Sequence, residues 1–572
     1  MNKWPAVPVV VAMIAGMVMG LFSSLPALVL LVGMVACLLI TLFLINSQRW
    51  RVFPPLVAFF LFGCLLMQRA DSRLAYPLTG EKVGFDAVLL DVPQEKNSGL
   101  ACEFYVLDGF YKDCRLRLYI KNDSASLNYF GRRIEPVYPQ LGGNYRIKTR
   151  LKDFRHGVSG GNSVYEGASS SLVSSFFSKN KDLDSYSLWA KSKGFAAQGW
   201  VYPQNIHAVG MEKANLPFME RVRLKAKLLR EKLLDAFFYI DAEGERSAEY
   251  AILAAMAFGD KSAVTAELRD TYSRTGASHL LALSGMHLGI LYAILVLFFG
   301  GRGEASQYLS RWGMTLTFLK NLMILMLIWL YVVVAGMPSS VVRAATMLTI
   351  YTVVSISGRQ KMSVNALAVT ALLMLVVNPL MLWDIGFQMS FLAMLSIFVF
   401  QEPLHEMFFT AANHLIYKYK ARNASKRGVI LLHQGYYLEN TPLVGSVLGI
   451  ITVSIAAQVL TAPLAVFYFN RFSGCFLITN ILAIPLVTIM LYLVFGYLIL
   501  AIVIGAMGFA VSGVFVKAIF LMARLMNRSM EWLAGMDMCW DNIHINLPQL
   551  LLVYLGIIIA CVLCLRIKRM LE

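Results

Sequence analysis

The sequence predicts a polytopic α-helical membrane protein with a β-barrel domain inserted on its outer face. Two observations carry this reading. The chain has 572 residues, of which 58% are hydrophobic and 15% charged, and its mean hydropathy of +0.62 excludes an ordinary soluble globule. Its apolar residues fall in runs near the length a bilayer requires, interrupted once by a polar stretch of strand-like pattern from Asp71 to about Ile240.

Three apolar runs open the chain, Val7 to Phe22, Leu25 to Asn46 and Val52 to Met67. Because they follow one another closely, they read as retained spans rather than a cleavable leader. Lys3 before the first, and Arg49 and Arg51 in "SQRWR" between the second and third, assign these flanks to the cytoplasm by the positive-inside rule. The third span then exits outward, and the polar stretch becomes a domain on the outer face. Downstream, the basic segments "GRGEASQYLSRW", "SGRQK" and "YKYKARNASKRG" alternate with bare connections near Gly336 and Asn378, which predicts five spans between Leu281 and Gln401. After Leu443 the runs near 446–469, 473–507, 509–526 and 549–565 admit more than one division, including a broken or re-entrant span. "RIKRMLE" assigns the C-terminus to the inside, for about eleven to thirteen membrane segments in all.

The resulting division is 1–70 for three N-terminal spans, 71–216 for the outer domain, 217–280 for a connector, 281–507 for a membrane core and 508–572 for a C-terminal membrane region. In the outer domain "KVGFDAVLLDV", "LACEFYVLDGF", "CRLRLYI" and "GNYRIKTRLKDF" alternate with period two between turn residues, the pattern of a small five-stranded barrel. Lys112, Arg115, Arg117, Lys121, Arg132, Arg133, Arg146, Lys148, Arg150 and Lys152 concentrate here with Tyr119 and Tyr145 among them. Cations for phosphates and flat rings for bases are what a single nucleic-acid strand needs. A solvated basic sheet face over an aromatic core accounts for the same residues, and both readings stay open.

Two of the eight cysteines, Cys102 and Cys114, lie on neighbouring expected strands, where an outer compartment would permit a bridge. The others have no metal-ligand spacing, so neither a metal nor another cofactor is expected. In the connector, "PFMERVRLKAKLLREKLLDAFFYI" repeats its apolar positions at three and four residues, with Arg221, Arg223, Lys225, Lys227 and Arg230 on the other face. This predicts an amphipathic helix at the membrane surface, touching lipid, with anchoring or phosphate guidance as its role.

The membrane core holds residues that hydrocarbon penalises, by about 2.5–3.5 kcal/mol for a charged side chain on insertion scales. Ser284 and His287 are three apart and share a helix face; Asp384 and Gln388 are four apart and do the same; Arg343 follows a helix start at Pro338 and Ser339, where free N–H groups favour an anion. Gly285 and Gly289 would admit a close backbone or a local break. These residues line a polar path or form structural contacts, among them an Arg343–Asp384 ion pair.

"TGASHLLALSGMHLGIL", "GMPSSVVRAATM", "NPLMLWDIGFQMSFLAMLSI" and "AQVLTAPLAVFYFNRFSGCFLITNILAIPL" resemble, in order and spacing, the ComEC competence family of inner-membrane DNA channels. The resemblance implies a channel for single-stranded DNA, not an enzyme. It implies an OB-fold-like outer domain including "DSYSLWAKSKGFAAQGWV", and a translocation path along Ser284, Gly285, His287, Pro338, Ser339, Arg343, Asp384, Gly386, Gln388, Ser390, Asn480 and Pro485. Expected partners are single-stranded DNA, membrane lipids, a separate DNA receptor, a separate nuclease, and a cytoplasmic ATP-driven motor or single-strand-binding protein. Longer family members carry a metallo-β-lactamase-like domain; no His-x-His-x-Asp-His run occurs here, and no GxxxxGK[ST]. Two other classes stay open: a secondary transporter of a smaller anion built around Arg343, and an intramembrane hydrolase using Ser284 with His287.

Overall fold

A computed structural model describes residues 5–22, 25–43, 53–73, 80–96, 99–121, 138–154, 185–210, 216–237, 247–299, 312–356, 364–426, 442–504, 509–536 and 538–571. Arg132, Arg133 and the basic segments "SQRWR" and "SGRQK", on which orientation was argued, lie outside these residues. The chain forms two compact units, residues 1–264 with 283–388, and residues 265–282 with 389–572.

The inserted domain of the first unit is a closed barrel. Around the ring run β1 (Lys82–Leu89), β3 (Gly99–Val106), β4 (Arg115–Ile120), β6 (Phe195–Val201) and β5 (Asn144–Lys152), and β5 pairs back onto β1. Only the β4–β6 pair is parallel in this ring. Closure leaves the ring without an open edge, and its Greek-key order is that of small oligonucleotide-binding barrels. Two short strands attach outside it, β2 (Gln94–Lys96) on β3 and β7 (Ile206–Gly210) on β5. Four of the five ring strands coincide with the period-two segments; the fifth, β6, lies in "GFAAQGWV", where the small residues blur the alternation. Phe85, Phe104, Leu116, Leu118, Ile120, Ile147 and Leu151 fill the interior.

The expected disulfide is absent, and the strand register explains why. Cys102 faces Leu118 across β3 and β4, whereas Cys114 bonds through its carbonyl to the amide of Val106. The two cysteines are thus four residues out of step, about 13 Å at 3.3 Å per residue, beyond the roughly 7 Å between Cα atoms that a bridge spans. Both remain thiols. Burial pushes that of Cys102 up to about 12.

Helices α1 (Ala6–Gly20), α2 (Ala27–Phe43) and α3 (Phe53–Arg73) precede the barrel. α1 lies so close to α3 that a methyl group on Gly16 would sit 1.9 Å from the carbonyl oxygen of Phe60, the small-residue contact of membrane helices. Helix α4 (Ser185–Ser192) leads into β6, and α5 (Phe218–Phe237) is the expected amphipathic helix. On its basic face Lys227 pairs with Asp91 of the barrel at 2.9 Å and Arg230 is buried near Asp91 and Asp260, while Arg221 and Lys225 are exposed. The connector also holds α6 (Ala248–Phe258), buried on every side from Tyr250 to Phe258.

Four further helices, α8 to α11, complete the first unit: Gly285–Phe299, Trp312–Val334, Ser339–Ile356 and Val364–Val377. The second unit holds α7 (Ala266–Arg274), most of α12 (Ile385–Lys426), α13 (Pro442–Phe469), α14 (Phe476–Ile504), α15 (Phe509–Ala534) and α16 (Leu547–Leu571). Five helices, α8 to α12, thus stand where five spans were expected. No break interrupts α13 or α14, which run continuously through Pro463 and Pro485. The irregular backbone falls earlier, in residues 275–284 before α8. Within the second unit a two-stranded sheet, β8 (Arg471–Ser473) with β9 (Cys539–Asp541), is tied to α7 by Arg471 and Asp270 at 2.7 Å.

Among the described residues four helical stretches are long and apolar enough to cross a membrane, Phe53–Asp71, Ile385–His414, Gly445–Phe469 and Phe476–Ile499, and shorter apolar helices accompany them. Large exposed apolar side chains such as Leu28, Leu297 and Val377 cover the helices, as expected of surfaces that meet lipid rather than water.

Candidate nucleic-acid interface

On β5 the sequence alternates Tyr145, Ile147, Thr149 and Leu151 inward with Arg146, Lys148, Arg150 and Lys152 outward, so four cations form one exposed row. Arg146 is held by Asp86, Nε to Oδ1 at 2.8 Å and Nη2 to Oδ2 at 2.9 Å, and this contact keeps the Asp86 carboxyl below its ordinary pKa. Register places Arg150 beside Lys82 on one side and Trp200 on the other, and Trp200 beside Tyr119. The rings of Tyr119 and Trp200 lie 5.1 Å apart. Lys121 stands over Trp200 at 5.5 Å and over Tyr202 at 5.4 Å, and Arg117 over Trp189 at 5.1 Å, over Tyr119 at 5.8 Å and over Phe195 at 6.0 Å. Cations and rings therefore alternate on the outward side of β4 and β6, next to the basic row of β5, with Tyr119 and Phe195 buried, Trp189 and Trp200 half-buried and Tyr202 exposed.

Several expected residues fall elsewhere. Tyr145 points into the barrel core, its hydroxyl accepting from the Gln140 amide at 2.7 Å, and so is not available to a strand. Arg115 turns away from the exterior row toward Glu220 of α5. Lys112 is exposed on the β3–β4 turn, apart from the row. The aromatic partners Trp189, Phe195, Trp200 and Tyr202 were not singled out in sequence. The spacing of Trp200 and Tyr202, two apart at the end of β6, is the signal that marks them as same-side residues.

Arg117 also lines a cavity of about 800 Å³ beneath the barrel. Its walls bring together Arg115, Glu103 and Asp91 of the barrel side, Lys191 and Lys193 of the α4–β6 turn, Glu220, Arg223 and Lys227 of α5, and Pro338, Ser339 and Asp384 of the helical part. Most of these charges are paired: Arg115 and Arg223 with Glu220, Lys227 with Asp91, Lys193 with Asp384 and Lys191 with Asp71. Burial and the neighbouring Asp91 raise the pKa of Glu103, and burial followed by the charge of Arg115 lowers that of Arg223.

At the cavity's helical wall, formed by Pro338, Ser339 and Asp384, the starts of α10 and α12 meet, and the start of α8, which does not itself line the cavity, packs against that of α10. Ser340 in the first turn of α10 donates to the carbonyl of Leu283, just before α8, at 2.6 Å. A methyl group on Gly285 would lie 3.1 Å from a guanidinium nitrogen of Arg343, and one on Gly386 would lie 3.0 Å from Ser339 Oγ. The first turns of α8, α10 and α12 are therefore in contact around the buried Arg343. Asp384 caps α12, its Oδ1 accepting from the Gly386 amide at 3.2 Å, while Oδ2 takes Lys193 at 3.0 Å. Its ion-pair partner is thus Lys193 rather than Arg343. Gln388 donates to the carbonyl of Leu382 at 2.9 Å. His287 Nδ1 accepts from the Ser284 amide at 3.0 Å and lies 2.8 Å from Ser284 Oγ, a side chain in the first turn reaching back to the capping residue as in a capping box. Ser390 lies on α12, and Asn480 and Pro485 on α14 of the second unit; Asn480 donates to Ser454 Oγ of α13 at 3.0 Å. Among the described residues no group of three or more His, Cys, Asp or Glu side chains is arranged to hold a metal ion.

Two curated proteins are similar to parts of this chain. ComE operon protein 3 of Bacillus subtilis is 25% identical over 297 residues, 50% of this chain and 31% of the relative. Recombination protein 2 of Haemophilus influenzae is 28% identical over 101 residues, 18% of this chain and 12% of the relative. The chain thus aligns with less than a third of the length of either relative. No solved structure matches. The family model described as competence protein matches residues 256–570, more than half of the chain and all three helix starts around Arg343, and this protein belongs to the competence protein family.

Proposed function

We propose that this protein is an inner-membrane channel that carries single-stranded DNA into the cytoplasm during natural transformation, with the barrel on the outer face binding the strand and both termini inside. The observation that carries the reading is the position of Arg117, which belongs at once to the cation and ring series on the barrel exterior and to the wall of the cavity. A strand laid on the β5 cations with bases on Trp200 and Tyr202 would pass Arg117 into the cavity and reach the three helix starts. There the N–H groups and dipoles of α8, α10 and α12, with Arg343 among them, supply positive potential to a passing phosphate where water is scarce. Exposed cations bind by releasing counterions, whereas the buried arginine acts on one phosphate at a time. A separate receptor would deliver DNA, a separate nuclease would remove the other strand, and a cytoplasmic ATP-driven motor or single-strand-binding protein would draw the product inward. The Ser284–His287 contact is accounted for by capping and lends no support to hydrolysis.

The test is transformation frequency measured beside membrane protein level. Arg343→Ala is expected to reduce uptake to background at normal protein level, and Arg343→Lys, which keeps charge but loses the planar fork, to retain part of it. Undiminished transformation by Arg343→Ala would remove the helix starts from the path.

A further inference from the structure

Glu220 is the carboxylate on which two arginines converge. Arg115 Nη2 of β4 lies 2.5 Å from each of its oxygens, and Arg223 Nη1 of α5 lies 3.2 Å from Oε1. All three side chains line the cavity beneath the barrel. Glu220 alone stands between the two guanidinium groups and leaves them a positive excess, with Glu103 and Asp113 also on the cavity wall and the nearby Lys227 already taken by Asp91 at 2.9 Å. Planar guanidinium donors directed at one anion from two elements form the geometry by which proteins hold the paired oxygens of a phosphodiester.

We infer that Arg115 and Arg223 form a binding site for one phosphodiester of an entering strand, and that Glu220 is a resident stand-in which the strand displaces. The inference rests on the proposed route of the strand and adds a site to it. Arg117 follows Arg115 on the same side of β4, about 6.7 Å further along and opposite Glu103 in the register, so a phosphate arriving there stands next to the arginine pair. Glu220 sits in the first turn of α5, where the helix dipole favours its charge whether or not it holds the arginines. A tethered carboxylate competes at millimolar or higher effective concentration. Free phosphate ions at low concentration are therefore kept out, while a polyanion already anchored on the barrel exterior is not.

The experiment uses the full chain in lipid nanodiscs, with a labelled oligothymidine as probe and anisotropy read over a range of salt. Glu220→Gln is expected to bind about tenfold more tightly, since a charge-assisted competitor is removed. The slope of its log affinity against log salt should stay that of the wild type, because the strand reaches the same phosphate contacts in both. Inorganic phosphate should compete with the probe more effectively in Glu220→Gln than in the wild type. Unchanged affinity in Glu220→Gln would make Glu220 a structural partner and overturn the inference. If that variant does not fold, Arg223→Gln decides: weaker binding with a shallower salt slope supports the site, and wild-type behaviour overturns it. Lys148→Gln with Arg150→Gln reports the exterior face separately. Should that double variant bind like the wild type, the exterior part of the proposed route fails, while Glu220→Gln still reports on the arginine pair.

Discussion

The exterior of β5 and the wall of the cavity are both rich in lysine and arginine, yet they use them in opposite ways. On β5, Lys148, Arg150 and Lys152 are exposed, and among the described residues only Arg146 is held by an acid. In the cavity, Arg115, Arg223, Lys193 and Lys227 each face a carboxylate, and Arg117 lies against rings. Exposed cations retain hydration and can stay unpaired at little cost, while cations in a confined space need an anion close by. The first arrangement suits capture of a polyanion, the second its exchange against resident acids.

The comparison breaks first if the exposed row is removed. Lys148→Gln, Arg150→Gln and Lys152→Gln together should weaken single-strand binding by the full-length protein about a hundredfold at low salt and reduce the salt slope by roughly 2, for three phosphates at about 0.7 each. Binding that survives with its slope intact would move capture elsewhere. A smaller effect is expected from Trp200→Ala, where one stacked base is lost: about 1–3 kcal/mol of binding energy, with the salt slope unchanged because no phosphate contact goes. A change in slope would mean the ring had been positioning Arg150 or Lys121 instead.

The smallest effect sharpens the contrast between two acids. Asp86, on the exterior, has its folded pKa lowered by Arg146, so its contribution to stability is present above the unfolded value near pH 4 and is lost as pH falls through the folded one. Glu103, in the cavity, has its pKa raised by burial, so its contribution is present below about pH 4.3 and is lost as pH rises through the folded value. Thermal melting of the full chain should show Asp86→Asn less stable than the wild type at pH 7, with the difference closing in acid, and Glu103→Gln more stable at pH 7, each by roughly 1–3 °C in melting temperature. Equal behaviour of the two variants would erase the distinction between face and cavity.

Much of this architecture was legible before the coordinates. The alternation of "NYRIKTRLK" assigns every residue of β5 to a side, and the apolar runs locate α8 to α12, because burial repeats with the period of the backbone. Tyr145 and Cys114 depart from the sequence expectation for the complementary reason. Residue type does not reveal that Tyr145 falls on the inward phase beside its cationic neighbours, nor that the turn after β3 sets Cys114 opposite Val106.

The sequence by itself determined the membrane character, four of the barrel's five ring strands, the basic row and the polar residues of the helical part. It does so because composition and period act through local sterics and transfer free energies that each segment carries alone. Only tertiary structure decided that Lys193 rather than Arg343 holds Asp384, that Glu220 receives two arginines from different elements, and that the first turns of α8, α10 and α12 meet. Charge partners are chosen by distances across the fold, between residues such as Lys193 and Asp384 that lie 191 positions apart, and no periodicity along the chain encodes such a distance.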